Sequence, residues 1–248
     1  MAELTKRYAV VTGANKGIGL EICRQLVSQG ITVVLTARDE KKGLEAVEKL
    51  KGSCASDSVI FHQLQVTDLA SIASLAQFIK SQFGKLDILV NNAGILGAVV
   101  DADAFKASVE TASRVSLLSR INIPSEWAKS ILNEAENLTE ERIDEVLNVF
   151  LKDFKEGSLE AKDWPQYFSA YIVSKAAMAT YTRILAKKYP GFRINCVCPG
   201  YVKTDINYNT GLLTVEDGAE GPVRLALLPD DGPSGLFFVR KEVSSFEE

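Results

Sequence analysis

Between an apolar segment, Tyr8-Ala9-Val10-Val11-Thr12, and a helical one over residues 17–30, the chain sets three glycines as Gly13-x-x-x-Gly17-x-Gly19. Few local patterns constrain a fold so tightly. A strand ending in a glycine turn that opens a helix aims backbone N–H groups and the positive helix end at one point, which suits a pyrophosphate. Glycine permits the tight turn and leaves no Cβ to block close approach. Three glycines alone would fit any strand–turn–helix. Here the flanks agree, because Ile18, Ile22, Leu26 and Val27 fall on one side of the helix.

The pattern continues. Residues 31–36, 59–66 and 86–90 read as further strands and 40–51 and 69–83 as further helices. Strands made of unbroken apolar runs, alternating with helices, point to an α/β fold with a doubly wound parallel sheet of the Rossmann type. A chain of 248 residues with 46% hydrophobic residues suits one large domain, 1–248. Later, residues 134–154 read as a long charged helix, 171–189 as a helix, 192–198 as a strand and 235–239 as one last strand. The net charge of −4, with no basic tract, argues against a nucleic-acid partner. The apolar runs are too short to span a membrane, and the polar start leaves no room for a signal peptide. Four sparse cysteines and one histidine, His62, suit a reduced cytoplasmic protein with no metal site.

At the tip of the second strand an acid would bind a ribose 2′-hydroxyl, whereas a guanidinium accommodates a 2′-phosphate. Arg38 stands there and Lys16 lies in the glycine turn, so the expected cofactor is NADPH/NADP+. The competing reading pairs Arg38 with Asp39 and leaves Lys16 in solvent. Asn92, in Asn91-Asn92-Ala93-Gly94 after the fourth strand, is placed to hold the adenosine ribose or else belongs to a simple turn. Pro199-Gly200 and the following Val202 and Thr204 hold the corresponding edge of a later strand, near the nicotinamide carboxamide and the pyrophosphate.

Tyr171 and Lys175 are one helical turn apart and share a face. A neighbouring ammonium favours the ionised phenol, so Tyr171 can exchange a proton with a carbonyl oxygen while hydride reaches the carbon. Lys175 also suits a nicotinamide ribose. Trp164, Tyr167 and Phe168 read equally as substrate contacts and as core.

Thr12 to Gly19, Asn91 to Gly94, Tyr171 to Lys175 and Pro199-Gly200 together resemble the short-chain dehydrogenase/reductase family. Asn15-Lys16-Gly17-Ile18-Gly19, Leu138 to Asp144 and Cys196 to Gly200 are similar to a plant branch that includes salutaridine reductase and the menthone/neomenthol reductases. The resemblance implies a monomeric NADPH-dependent reductase of a bulky apolar ketone, terpenoid- or alkaloid-like, with Tyr171 as proton donor. It implies cofactor contacts through Gly13, Asn15, Lys16, Gly17, Ile18, Gly19, Arg38, Gln65, Val66, Asn92, Ala93, Gly94, Tyr171, Lys175, Pro199, Gly200, Val202 and Thr204. It also implies a helical insertion, residues 122–165, ahead of the tyrosine helix.

The centre departs from that pattern. Relatives place a long helix bearing an asparagine after the Asn-Asn-Ala-Gly turn, then a fifth strand ending in Asn-Val-Ser-Ser. Here no asparagine occurs between Ala93 and Arg120, and Asn-x-Ser-Ser is absent. The expectation is a shortened or missing central helix and fifth strand. Ser116 is the candidate for the serine that polarises substrate, an ordinary surface serine being the other reading. Gln65 stands where relatives carry an aspartate facing adenine. The alternative function is therefore an impaired or inactive NADPH-binding deletion form.

Overall fold

The computed structural model describes residues 6–52, 58–97, 101, 103, 123–134 and 137–245. In chain order the elements are β1 (Tyr8–Val11), α1 (Gly17–Ser28), β2 (Thr32–Ala37), α2 (Glu40–Lys51), β3 (Val59–Gln63), α3 (Leu69–Phe83) and β4 (Ile88–Val90). Then come α4 (Glu126–Asn133), α5 (Glu140–Glu156), α6 (Ser169–Lys188), β5 (Cys196–Cys198), α7 (Val215–Ala226), β6 (Phe237–Val239) and β7 (Glu242–Ser244). They gather into two compact units. The first comprises Met1–Gly94 and Val202–Leu227, the second Ile95–Tyr201 and Leu228–Glu248.

The first unit carries a four-stranded parallel sheet in the order β3-β2-β1-β4. Period-2 alternation divides its side chains between two layers. Ala9, Val11, Val33 and Leu35 pack with Ile22, Leu26, Val47 and Val223, from α1, α2 and α7. Val10 and Val34 face the other way, onto Leu75 and Ile79 of α3. All six residues of β2 are buried, which is why that strand reads as an unbroken apolar run. β4 differs. Ile88 is buried with the first layer, but Leu89, on the opposite face, is 55% exposed. Among the described residues β1 is the one neighbour of β4, and no strand lies in the chain between Val90 and Cys196.

The helix α7 was not expected, because Gly218, Gly221 and Pro222 look like breakers. It forms because Thr214 and Asp217 make a reciprocal capping box at its start. Its glycine is also needed: a Cβ on Gly218 would lie 2.6 Å from Cγ2 of the buried Val202.

The second unit holds a three-stranded sheet, β5-β6-β7, parallel between β5 and β6 and antiparallel between β6 and β7. β6 is thus not the last strand. The two-residue turn to β7 contains Arg240 at φ +58°, a conformation its sequence does not signal. β5 is shorter than the run 192–198 suggests. Ile194 N–H goes to the Ser234 hydroxyl, and the Asn195 amide oxygen accepts from Leu236 N–H, so side chains interrupt the backbone pairing there. The long helix expected over 134–154 begins later, at Glu140 after its Thr139 cap, and α4 precedes it behind a Ser125 cap. Both pack on α6 around Ile131, Val146, Phe150, Trp164 and Val173. Arg183 of α6 donates to the carbonyls of Leu132, Asn133 and Glu134, closing the end of α4.

Candidate functional site

In the first unit the glycine turn is a cradle in which side chains would not fit. Gly13 and Gly17 have φ of +61° and +58°. A Cβ on Gly13 would sit 2.8 Å from Cα of Ala93, and one on Gly19 would sit 2.4 Å from the Asn92 amide nitrogen and 2.9 Å from Cα of Ala14. No side chain caps α1, whereas Asp39 and Asp68 cap α2 and α3. The amides of Gly17, Ile18 and Gly19 thus open the helix without an internal acceptor, a setting that fits an anionic pyrophosphate.

Thr12 and Asn92 lock this turn to the end of β4. The Thr12 hydroxyl accepts from Asn92 N–H at 3.0 Å and Ala93 N–H at 2.9 Å. The Asn92 amide donates to the carbonyls of Thr12 and Gly13 at 2.9 and 3.2 Å. Those donors are committed to the backbone, which leaves the amide oxygen of Asn92 to meet a ribose. Likewise the Gln65 amide N–H₂ donates to Thr67 at 2.7 Å, leaving its oxygen as an acceptor. Val66 is exposed beside it. Asn15 lies in the turn itself, and Gly94 ends the segment that Thr12 holds.

The two cations differ. Ala14 N–H donates to Thr36 O at 2.8 Å and so joins the turn to the end of β2, where Arg38 stands. Asp39 is occupied by capping Lys42 N–H, and among the described residues no carboxylate pairs with Arg38. Lys16 is not simply solvated: its Nζ lies 2.6 Å from Asp205 Oδ2.

Val202 and Thr204 also differ. Val202 is buried and its carbonyl accepts from Asn207, so only its backbone N–H remains for a ligand. Thr204 lies over the turn, its Cγ2 3.5 Å from the place a Gly17 Cβ would take. Asn207, buried, holds this loop through both amide atoms, accepting from Thr204 N–H and donating to Val202 O. Sequence reasoning passed over Asp205 and Asn207. The spacing Thr204-x-x-Asn207, a capping box on a short turn, was the available signal.

In the second unit α6 presents the other candidates. Lys175 Nζ lies 5.6 Å from the centroid of the Tyr171 ring, one turn away on the same face. Burial pushes the Tyr171 phenol up from its ordinary value, and its electrostatic coupling to the neighbouring Cys198 adds to it. Burial lowers Lys175, against an opposing coupling to the same Cys198. The sequence suggested that the ammonium would bring the phenol down. In the folded chain burial instead holds it above the ordinary value. Pro199 and Gly200 follow β5, with Gly200 at φ +88°. Trp164 proves to be core: it is 3% exposed, donates to Asp153 at 2.8 Å and meets Phe150 edge-on. Tyr167 is 75% exposed. Ser116 lies outside the described residues. His62 sits against Phe78 on the surface of β3, its Nδ1 2.7 Å from Gln63 O.

Comparison with known proteins gives a consistent picture. The sequence profile of the short chain dehydrogenase family matches residues 7–212. A (+)-neomenthol dehydrogenase of Arabidopsis thaliana is 52% identical, over 99% of this chain and 100% of its own. The solved structure of salutaridine reductase from Papaver somniferum superposes with a TM-score of 0.87 at 46% identity, over 94% of this chain and 99% of that one. Human carbonyl reductase [NADPH] 1 is 36% identical over 96% of this chain and 98% of its own. The Arabidopsis alignment is 298 residues long against a chain of 248, so at least 50 of its positions have no residue here. The profile match, these identities and the glycine cradle agree: the chain belongs to the short-chain dehydrogenase family.

Proposed function

We propose that the chain is an NADPH-dependent reductase of a bulky apolar ketone, terpenoid- or alkaloid-like, with Tyr171 as its proton donor. The observation that carries this reading is the Tyr171–Lys175 pair on one face of α6, in a chain that also holds a Cβ-free glycine cradle. The relatives named above supply the substrate class. When bound, the nicotinamide supplies a hydride to the carbonyl carbon and carries positive charge once oxidised.

The chain's own residues do the rest. Amides of the glycine turn hold the pyrophosphate, Arg38 binds the 2′-phosphate, and the oxygens of Asn92 and Gln65 meet the ribose and the adenine. Lys175 binds the nicotinamide ribose. The Tyr171 phenol donates its proton to the substrate oxygen as negative charge develops there, and recovers it from solvent.

The upward shift of that phenol fixes a pH dependence. Reduction needs the protonated form, which persists well above neutrality because its pKa lies above the ordinary tyrosine value. For ketone reduction kcat/KM is expected to stay level from neutral pH to about 9, whereas alcohol oxidation, which needs the phenolate, rises over the same range. A reduction profile falling between pH 7 and 8 would contradict the assignment.

The cofactor assignment is tested by Arg38→Asp. The substitution removes a charge-assisted contact and adds repulsion, so NADPH is expected to bind about 10- to 100-fold more weakly by fluorescence titration, with little change for NADH. Equal weakening of both would refute the 2′-phosphate role.

We read residues 1–248 as one dinucleotide-binding domain with 122–165 as a helical insertion, in a cytoplasmic monomer. In support, the family match runs through both units, and α4 and α5 build their core on α6.

A specific observation also favours the second reading, a deletion form that binds NADPH but turns over poorly. The length deficit against the Arabidopsis relative, the single neighbour of β4 among the described residues and the exposure of Leu89 agree with loss of a central helix and strand. Apolar surface left open costs about 25 cal/mol per Å² against a margin of ~5–15 kcal/mol. A thermal shift with NADPH, without oxidation of any carbonyl panel member, would support this form over the active reductase.

A further inference from the structure

We propose that Asp205 sets the preference between NADPH and NADH by drawing the Lys16 ammonium away from the cofactor's 2′-phosphate. The proposal rests on the reading of the glycine turn as the NADPH cradle, and it adds to that site a specificity residue outside the glycine motif.

The carboxylate is the fixed member of the pair. Asn207 and the capping box with Thr204 anchor the short turn Asp205–Asn207, and Asn209 donates to the Asp205 carboxylate. Lys16 is the adaptable member, a long side chain that rises from the turn and meets Asp205 Oδ2 at 2.6 Å. The contact spans from the glycine turn to a loop 189 residues later in the chain, and Thr204 lies against the turn beside it. Of the two cations available to a 2′-phosphate, Arg38 has no carboxylate partner among the described residues, while Lys16 already has one.

The physical consequence is an exchange rather than a gain. To reach a phosphate, Lys16 must give up one ion pair for another, and the remaining carboxylate repels the arriving dianion. Both partners are about 60% exposed, so the effect is screened and modest. NADH, without the phosphate, is indifferent to it. The Lys16 charge pulls the Asp205 carboxyl below the ordinary carboxylate range, so the competing charge is fully present at neutral pH.

The test is equilibrium titration of the full chain with NADPH, NADH and 2′,5′-ADP, followed by fluorescence or calorimetry, at low and high salt. Asp205→Asn is expected to tighten NADPH and 2′,5′-ADP by about two- to fivefold and leave NADH unchanged, with the gain shrinking at high salt. Asp205→Glu, which keeps the charge, is expected to stay close to the original ratio. In a Lys16→Met background, Asp205→Asn is expected to lose most of its benefit, because the competition has no object. An unchanged NADPH:NADH ratio, or equal weakening of both as a purely structural role would give, overturns the proposal while the cradle reading stands. Failure of the unmodified chain to bind any of the three nucleotides overturns both.

Discussion

Tyr171→Phe is expected to lower ketone-dependent NADPH oxidation by about 10²–10⁴-fold, the usual contribution of a positioned general acid. The substitution deletes one hydroxyl from a ring that α6 already holds, so the helix and the packing of α4 and α5 on it are left intact. NADPH affinity is expected to change by less than threefold, because the roles assigned to the glycine turn and Arg38 do not involve the phenol. Rates with and without the hydroxyl, together with a nucleotide titration of each protein, check both halves. Loss of binding along with activity would point to damage rather than to a missing proton.

The second large effect lies in the cradle. Gly19→Ala places a methyl group 2.4 Å from the Asn92 amide nitrogen and 2.9 Å from both Ala14 Cα and Gly13 O. Two of those neighbours are backbone, and Asn92 holds Thr12 and Gly13 through its amide, so none gives way cheaply. Overpacking of this kind costs about 1–3 kcal/mol, seen as a fall in Tm of several degrees. NADPH affinity is expected to drop more than tenfold, since the turn whose amides meet the pyrophosphate must distort. A substituted chain with unaltered Tm and NADPH affinity would show that the turn is an ordinary strand–helix connection.

Much of this arrangement is legible in the sequence wherever a local signal and its long-range consequence coincide. The six buried residues of β2, the glycine turn and the boundaries of α2 and α3 fall where apolar period and β-branched runs put them. Local signal fails where a contact distant in the chain decides. Gly218 and Pro222 read as breakers, yet α7 forms because its glycine face fits against Val202 and its apolar face onto α1. The charge pattern starts a helix at residue 134, but the Thr139 cap holds its first turn back to Glu140, and Ser125 caps a separate helix before it. Trp164 reads equally as substrate contact and as core until Asp153, eleven residues earlier, is seen to accept its indole N–H. The Lys16–Asp205 pair is invisible for the same reason, since no spacing rule links a glycine turn to a loop 189 residues away. At the Tyr171 phenol the sign itself reverses, because burial is a property of the packed unit and not of the Tyr-x-x-x-Lys spacing.

The most direct measurement follows the transferred atom. The purified chain would be given NADPH deuterated at nicotinamide C4 and a panel of cyclic terpenoid and alkaloid ketones, with the products read by mass spectrometry. The account predicts an alcohol carrying deuterium on the former carbonyl carbon, one equivalent of NADP+ for each, and the same product formed about 10²–10⁴-fold more slowly by Tyr171→Phe. NADPH-saturated chain that labels no ketone, or a Tyr171→Phe protein that labels it as fast as the original, would contradict it.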